Sequence, residues 1–114
     1  MIIRKEFWVR GKIFTVGLTQ SQLSALVHAC QRISSHYVDR DLLGLPHFNF
    51  NDSDIVLAEE KESGEVVVTQ GAIKFSVKVF GYGISNTLSR QILIIAKEFN
   101  VKAKVESVTN FFVN

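Results

Sequence analysis

The side chains able to do chemistry in this 114-residue chain are few and scattered: His28, His36 and His47, the lone Cys30, the acidic pairs Asp39/Asp41 and Asp52/Asp54, and the glycines of Gly81-Tyr82-Gly83. A zinc centre needs nitrogen or sulfur ligands that converge and are each braced from behind. The spacing of the three histidines fits no metal motif, and His28 and Cys30 fall on opposite sides of a helix, so they cannot share an ion. His28, Arg32 and His36, at i, i+4 and i+8, read as a solvated helix face. Cys30 lies on an apolar stripe and is expected to be a packed, inert thiol. None of the serines sits in a Gly-x-Ser-x-Gly elbow. Gly81-Tyr82-Gly83 lacks the third glycine of a dinucleotide fingerprint and the lysine of a P-loop. A strand-to-helix turn accounts for it, with the free amides after Gly83 its only route to an anion. Carboxylates two apart on loops cap turns or stay solvated, whereas general acid or base work needs burial. No nucleophile–base or metal-ligand constellation emerges, so the expectation is a protein that is not an enzyme and carries no metal or cofactor.

What the sequence does organise is charge. Residues 1–38 carry +4, residues 39–65 carry −6, and residues 66–114 carry +4, for a formal net charge of +2. Such a field selects and steers charged partners. A composition 46% apolar and 21% charged is that of a globular chain, long enough to fold without staples as a single domain over residues 1–114. The start, Met-Ile-Ile-Arg-Lys-Glu, interrupts any signal-peptide core, and no apolar run approaches a membrane span. Together with the single cysteine, this gives the expectation of a cytoplasmic protein.

The elements that must position these groups follow from periodicity. Glu6–Val16 has two apolar-rich runs around Arg10-Gly11 and predicts a hairpin in which Phe7 faces Phe14 and Trp8 faces Ile13. Thr19 and Gln22 have capping-box spacing, with Leu18 and Leu23 placed as a hydrophobic staple, so a helix is expected over 19–34 with Leu23, Leu26, Val27, Cys30 and Ile33 inward. Ser35 to Ser53, with the only proline at Pro46, reads as an irregular connection anchored by Leu42, Leu43, Leu45, Phe48 and Phe50. Strands follow at 55–60, 65–69 and 73–80, the last with Ile73, Phe75, Val77 and Val79 on one face and Lys74, Ser76 and Lys78 on the other. Leu88, Ile92, Ile95, Ala96 and Phe99 give a second helix over 85–99, capped by Ser85 and ending at Asn100. Val101, Ala103 and Val105, alternating with Lys102, Lys104 and Glu106, give a last strand over 101–106. The expected fold is α+β, an antiparallel sheet with two helices on one face and element order ββαβββαβ.

The run from the first helix through three strands to the second helix resembles a double-stranded-RNA-binding domain. Phe75-Ser76-Val77-Lys78-Val79 is similar to that family's Phe-x-Val-x-Val strand, and Gly81-Tyr82-Gly83-Ile84-Ser85 to its Gly-x-Gly-x-Ser helix entry. The resemblance covers about twenty residues and implies an αβββα core. The family's phosphate-gripping lysines after that serine are replaced here by Asn86 and Thr87, and its Gly-Pro-x-His loop is absent. The match is therefore a coincidence of pattern or a shared topology without the family's grip on RNA.

Two partner classes remain. The first is a basic protein: Asp52, Asp54, Glu59, Glu60, Glu62 and Glu65 crowd one predicted hairpin. An acidic surface on a compact inhibitor, such as an immunity protein or antitoxin, matches the basic cleft of a toxin or nuclease. This is the favoured expectation. The alternative is nucleic acid, held by Lys74, Lys78, Lys102 and Lys104 if their strands are neighbours, with Trp8 and Phe80 as stacking surface. Against it stand the modest net charge and the use of alternating lysines to keep exposed strands from aggregating.

Overall fold

The computed structural model describes residues 2–39, 48–52 and 57–113. Their order is β1 (Ile3–Phe14), α1 (Gln20–Ser35), β2 (Phe48–Asp52), β3 (Leu57–Glu60), β4 (Val66–Gln70), β5 (Ala72–Val79), α2 (Tyr82–Glu98) and β6 (Ala103–Val113). The fold is α+β with antiparallel pairing throughout. A four-stranded sheet runs β2-β5-β1-β6, and β3 and β4 form a separate two-stranded sheet. Among the described residues no helix is long and apolar enough to cross a membrane.

The first element departs from expectation. Residues 6–16 are not a hairpin: β1 is one continuous strand paired on both sides, with β5 from Phe7↔Val79 to Phe14↔Ala72 and with β6 from Ile3↔Val113 to Ile13↔Ala103. Gly11 is not a turn glycine. It lies mid-strand opposite Phe75 and Val105, where a Cβ would overlap the carbonyl oxygen of Lys104 and lie 3.0 Å from the Phe75 ring. The missing side chain thus lets β6 approach and lets the Phe75 ring lie across the gap, a use of glycine distinct from its role in turns.

One face of the sheet is core. Val9 and Ile13 of β1 and Phe75, Val77 and Val79 of β5 pack with Leu26 and Cys30 of α1 and Leu88 and Ile92 of α2, all buried in one cluster. Both helices therefore cover the same face, set by the odd-numbered residues of β1 and β5. α1 starts as its sequence requires. The Thr19 hydroxyl accepts from the Gln22 amide at 3.1 Å while the Gln22 side chain accepts from the Thr19 amide at 3.0 Å, and Leu18 is buried beside them. α2 begins three residues earlier than expected. Its N-cap is Gly81, and the Ser85 hydroxyl sits inside the first turn, donating to the Tyr82 carbonyl at 2.6 Å. Asn100 closes that helix with φ 57°, a left-handed conformation asparagine tolerates.

Two further differences concern the sheet. Phe48–Asp52, read as part of an irregular connection, is an edge strand in register with β5, Phe48↔Val77 to Asp52↔Ile73. Of the rest of that connection, residues 40–47, with the expected anchors Leu42, Leu43 and Leu45, and Ser53 lie outside the described residues. β4 and β5, expected as neighbours, belong to different sheets. Gly71, with φ 142°, turns the corner between them. Its carbonyl takes both the amide (3.3 Å) and the hydroxyl (3.0 Å) of buried Thr15, which ties the corner to the end of β1.

Two substitutions test this packing. Phe75→Ala removes a fully buried ring and should cost about 3–5 kcal/mol. Gly11→Val should cost about 1–3 kcal/mol or more, because the new side chain meets backbone that cannot yield without unpairing β6. Urea unfolding of both variants reads the two costs. A Gly11→Val protein as stable as the parent would mean that Gly11 occupies a turn after all.

Candidate nucleic-acid interface

With odd-numbered residues of β1 turned to the helices, the even-numbered ones face the other way. No described helix packs there. The registers bring the side chains of this open face into rungs across three strands. Lys12 is opposite both Lys74 of β5 and Lys104 of β6. With neighbouring strands roughly 4.8 Å apart, three ammonium-bearing side chains stand within a row about 10 Å wide. Lys74 and Lys104 are exposed and Lys12 is half-buried. Among the described residues none of the three forms an ion pair. Lys102 precedes β6 and is exposed; its carbonyl accepts the Phe14 amide at 2.9 Å, which puts it one rung beyond Lys104.

The next rungs change character. Arg10 is opposite Ser76 and Glu106, and Trp8 is opposite Lys78 and Val108. The Arg10 guanidinium lies 5.1 Å from the Trp8 ring centre, a cation–π stack that holds the indole in place beside the lysine row. The indole N–H donates to Glu6 Oε1 at 3.3 Å. Glu6 also draws Arg4 (3.8 Å) and Lys78 (3.6 Å), and Lys78 reaches Asp39 at 3.5 Å. Asp39 is brought there by its backbone, whose amide donates to the Lys78 carbonyl at 2.7 Å. At the far end Arg4 lies 4.8 Å from the ring centre of Phe112.

The structure thus sorts the four sequence-nominated lysines. Lys74, Lys102 and Lys104 belong to one exposed basic strip. Lys78 lies on the same face, but with its side chain 22% exposed between two carboxylates its charge is spent inside the protein. Lys12 and Arg10 complete the strip, although the expected hairpin put Arg10 in its turn and Lys12 in its second run. The signal for them was the alternation Glu6, Trp8, Arg10, Lys12, continued without a break through Gly11.

The acidic residues are distributed differently from the expected single hairpin. Glu59, Glu60, Glu62 and Glu65 are exposed around the β3–β4 turn, where the Lys61 amide donates to the Glu65 carbonyl at 2.8 Å and Gly64 takes φ 85°. Glu59 and Glu60 are successive strand residues opposite Val67 and Val66, so they alternate between the two sides of that small sheet. Asp52 ends β2 in the four-stranded sheet, opposite Ile73. Asp54 lies outside the described residues.

His28 and His36 are exposed, and Cys30 is fully buried in the core between α1 and the sheet; His47 lies outside the described residues. Among the described residues no group of three or more histidine, cysteine or carboxylate side chains could hold a metal ion. Burial pushes the Cys30 thiol up to about 12.

The chain matches no protein-family model and no curated protein. Among solved structures it is similar to part of a putative aminohydrolase from methicillin-resistant Staphylococcus aureus, 17% identical over 92% of this chain and 30% of that one, with a TM-score of 0.45. It is also similar to part of a tripeptidase from Staphylococcus aureus subsp. aureus Mu50, 10% identical over 100% of this chain and 32% of that one, again with a TM-score of 0.45. The chain spans about a third of the length of each.

The Cys30 environment sets a measurable expectation. The thiol should react with an aromatic disulfide reagent far more slowly in the native state than in denaturant, because it is neither reachable nor ionised near neutral pH. Its raised folded-state pKa also means that its contribution to stability is complete below pH 9. That contribution should fall as pH rises from 9 toward 12, where the unfolded thiol ionises and the folded one does not. Equal labelling rates in both states would contradict the buried placement.

Proposed function

We propose that this protein binds single-stranded nucleic acid on the open face of its four-stranded sheet. The observation that carries the reading is the rung Lys74, Lys12, Lys104, uncompensated among the described residues and adjacent to the Arg10-stacked Trp8. Lysines track a phosphate backbone without reading sequence, and an indole offers a stacking surface that accepts any base. Arg10 can stay over the indole while a base takes the other side, or move to a phosphate when one arrives. An open sheet face presents these groups to splayed bases, which suits a single strand better than the closed grooves of a duplex. A modest net charge is no obstacle when the basic groups share one face and most of the acidic ones are elsewhere.

A second reading rests on the exposed acidic turn at Glu59, Glu60, Glu62 and Glu65: an inhibitor or antitoxin-like protein that docks this turn into a basic protein partner such as a toxin or nuclease. It has fewer converging groups behind it, since Asp52 belongs to the other sheet and Glu59 and Glu60 diverge. Under either reading the protein is a binding module that turns over no substrate. The lone buried thiol suits a reducing, cytoplasmic compartment.

Titrating the protein with a fluorescent single-stranded oligonucleotide at several salt concentrations tests the first reading. Five engaged cations, Arg10, Lys12, Lys74, Lys102 and Lys104, should give a slope of log K against log salt of about −3.5. Lys12→Ala and Lys74→Ala should each lower affinity and flatten the slope by about 0.7. Trp8 emission should be quenched on binding, and Trp8→Ala should weaken binding by about 1–3 kcal/mol. Absence of binding at low salt, or binding indifferent to the lysine changes, would overturn it. Changing Glu59, Glu60 and Glu62 together to lysine addresses the second reading, which requires slower association with a basic partner while the fold is kept.

A further inference from the structure

β6 is an edge strand. Its inner side pairs with β1 over eleven residues, and its outer side carries no strand among the described residues. An edge of that length is a standing template for another strand, and proteins that leave one open cap, charge or pair it. Beyond Phe7↔Val79 the pairing of β1 with β5 stops, so Ile3–Glu6 and Asn110–Val113 continue as a two-stranded ribbon with no third strand among the described residues. Phe111 and Val113 are each 63% exposed there and Ile3 is 58% exposed. A bare ribbon of this kind is marginal in water.

The same strand offers a place for those side chains. A groove of about 630 Å³ lies against β6; Leu93 of α2, Ala103 and Val105 form its apolar wall, and Gly11, Lys12, Lys104 and Glu106 line the rest. Leu93 is itself exposed. Phe111 has the same parity as Ser107, whose hydroxyl meets Ser89 (3.2 Å) and Asn86 (3.4 Å) of α2, so it belongs to the helix side, as do Leu93, Ala103 and Val105 of the groove. Phe111 and the apolar wall beside Val105 lie on one strand and cannot meet within one chain. They can meet across a two-fold axis.

We propose that β6 pairs antiparallel with β6 of a second copy, about a two-fold axis through Val108, to give an eight-stranded sheet. In that register Val105 is opposite Phe111 of the second copy and Ala103 is opposite Val113 of the second copy. Each copy's apolar ribbon residues thus enter the other's groove beside Leu93. On the open face Lys104 is opposite Phe112 of the second copy and Glu106 is opposite Asn110 of the second copy, so no like charges oppose each other. Centring the axis on Val105 instead would pair less of the strand and leave Phe111 in water. With the axis normal to the sheet, both copies present their open faces on the same side.

Sedimentation velocity across the micromolar range tests the pairing. The protein should sediment as twice its 12.8 kDa mass, and Phe111→Arg should sediment as a monomer with an unchanged circular dichroism spectrum. Val108→Cys gives an independent reading. Directly opposed residues in an antiparallel pair have Cα atoms about 4.5–5.5 Å apart, within reach of a disulfide. With added diamide, which takes up the two electrons and two protons the thiols lose, the variant should cross-link quantitatively, whereas Glu62→Cys at the distant turn should not. A protein that stays monomeric, a dimer that survives Phe111→Arg, or cross-linking no better at Val108 than at Glu62 would each overturn the proposal. A sheet edge used by some other protein's strand would show itself as the first of these.

Discussion

The structure depends on β1 being a strand with neighbours on both sides. Once it pairs with β5 and β6 together, the period of two leaves only one arrangement: Phe7, Val9 and Ile13 go under the helices, and Glu6, Trp8, Arg10 and Lys12 go to the other face. A slip of one residue would bury Arg10 and Lys12 and expose Val9 and Ile13, exchanging the core for charges that cannot be desolvated cheaply. Gly11 makes the arrangement possible by letting the Lys104 carbonyl come where a side chain would otherwise stand. The same alternation therefore builds the core and composes the open face.

Charge on that face is handled in two ways. Near Glu6 it is closed: Arg4, Lys78 and the indole of Trp8 converge on one carboxylate, and Asp39 adds a second to Lys78. Partly exposed pairs like these contribute little stability one by one, and their effect is to hold Trp8 and Lys78 in place. Around Lys12 the charge is open, since three lysines face one another with no described carboxylate between them. Like charges in one row cost free energy in the empty protein, and an anionic ligand recovers it on binding. The acidic turn at residues 59–65 belongs to the other sheet.

How much of this was legible depends on how far local pattern and tertiary context agree. The capping box at Thr19 and Gln22 and the alternation from Ile73 to Val79 are local, and both were readable. Gly11 was not, because Arg-Gly between apolar runs has the chemistry of a turn, and only the approach of β6 from more than ninety residues away gives the glycine its other use. β2 carried a period of two in Phe48-Asn49-Phe50-Asn51, masked by asparagine's poor standing in strands and by Pro46 nearby. The length of β6 was hidden because Ser107, Thr109 and Asn110 break the apolar alternation, and pairing with β1 rather than propensity extends the strand. Of the basic strip, Lys74, Lys102 and Lys104 were nominated from spacing, while Arg10 and Lys12 were lost with the hairpin.

The claim at the centre of this account is that the open sheet face meets the ligand while the helix face serves as core. The most direct measurement is an NMR titration with a single-stranded oligonucleotide, following the Trp8 indole proton, the Arg10 side chain and the lysine ammonium-end methylenes. The account predicts saturable shifts at Trp8, Arg10, Lys12, Lys74, Lys102 and Lys104, with the methyl groups of Val77, Leu88 and Ile92 unmoved. Shifts confined to residues 59–65 or to the exposed faces of α1 and α2, or no shifts at low salt, would contradict it.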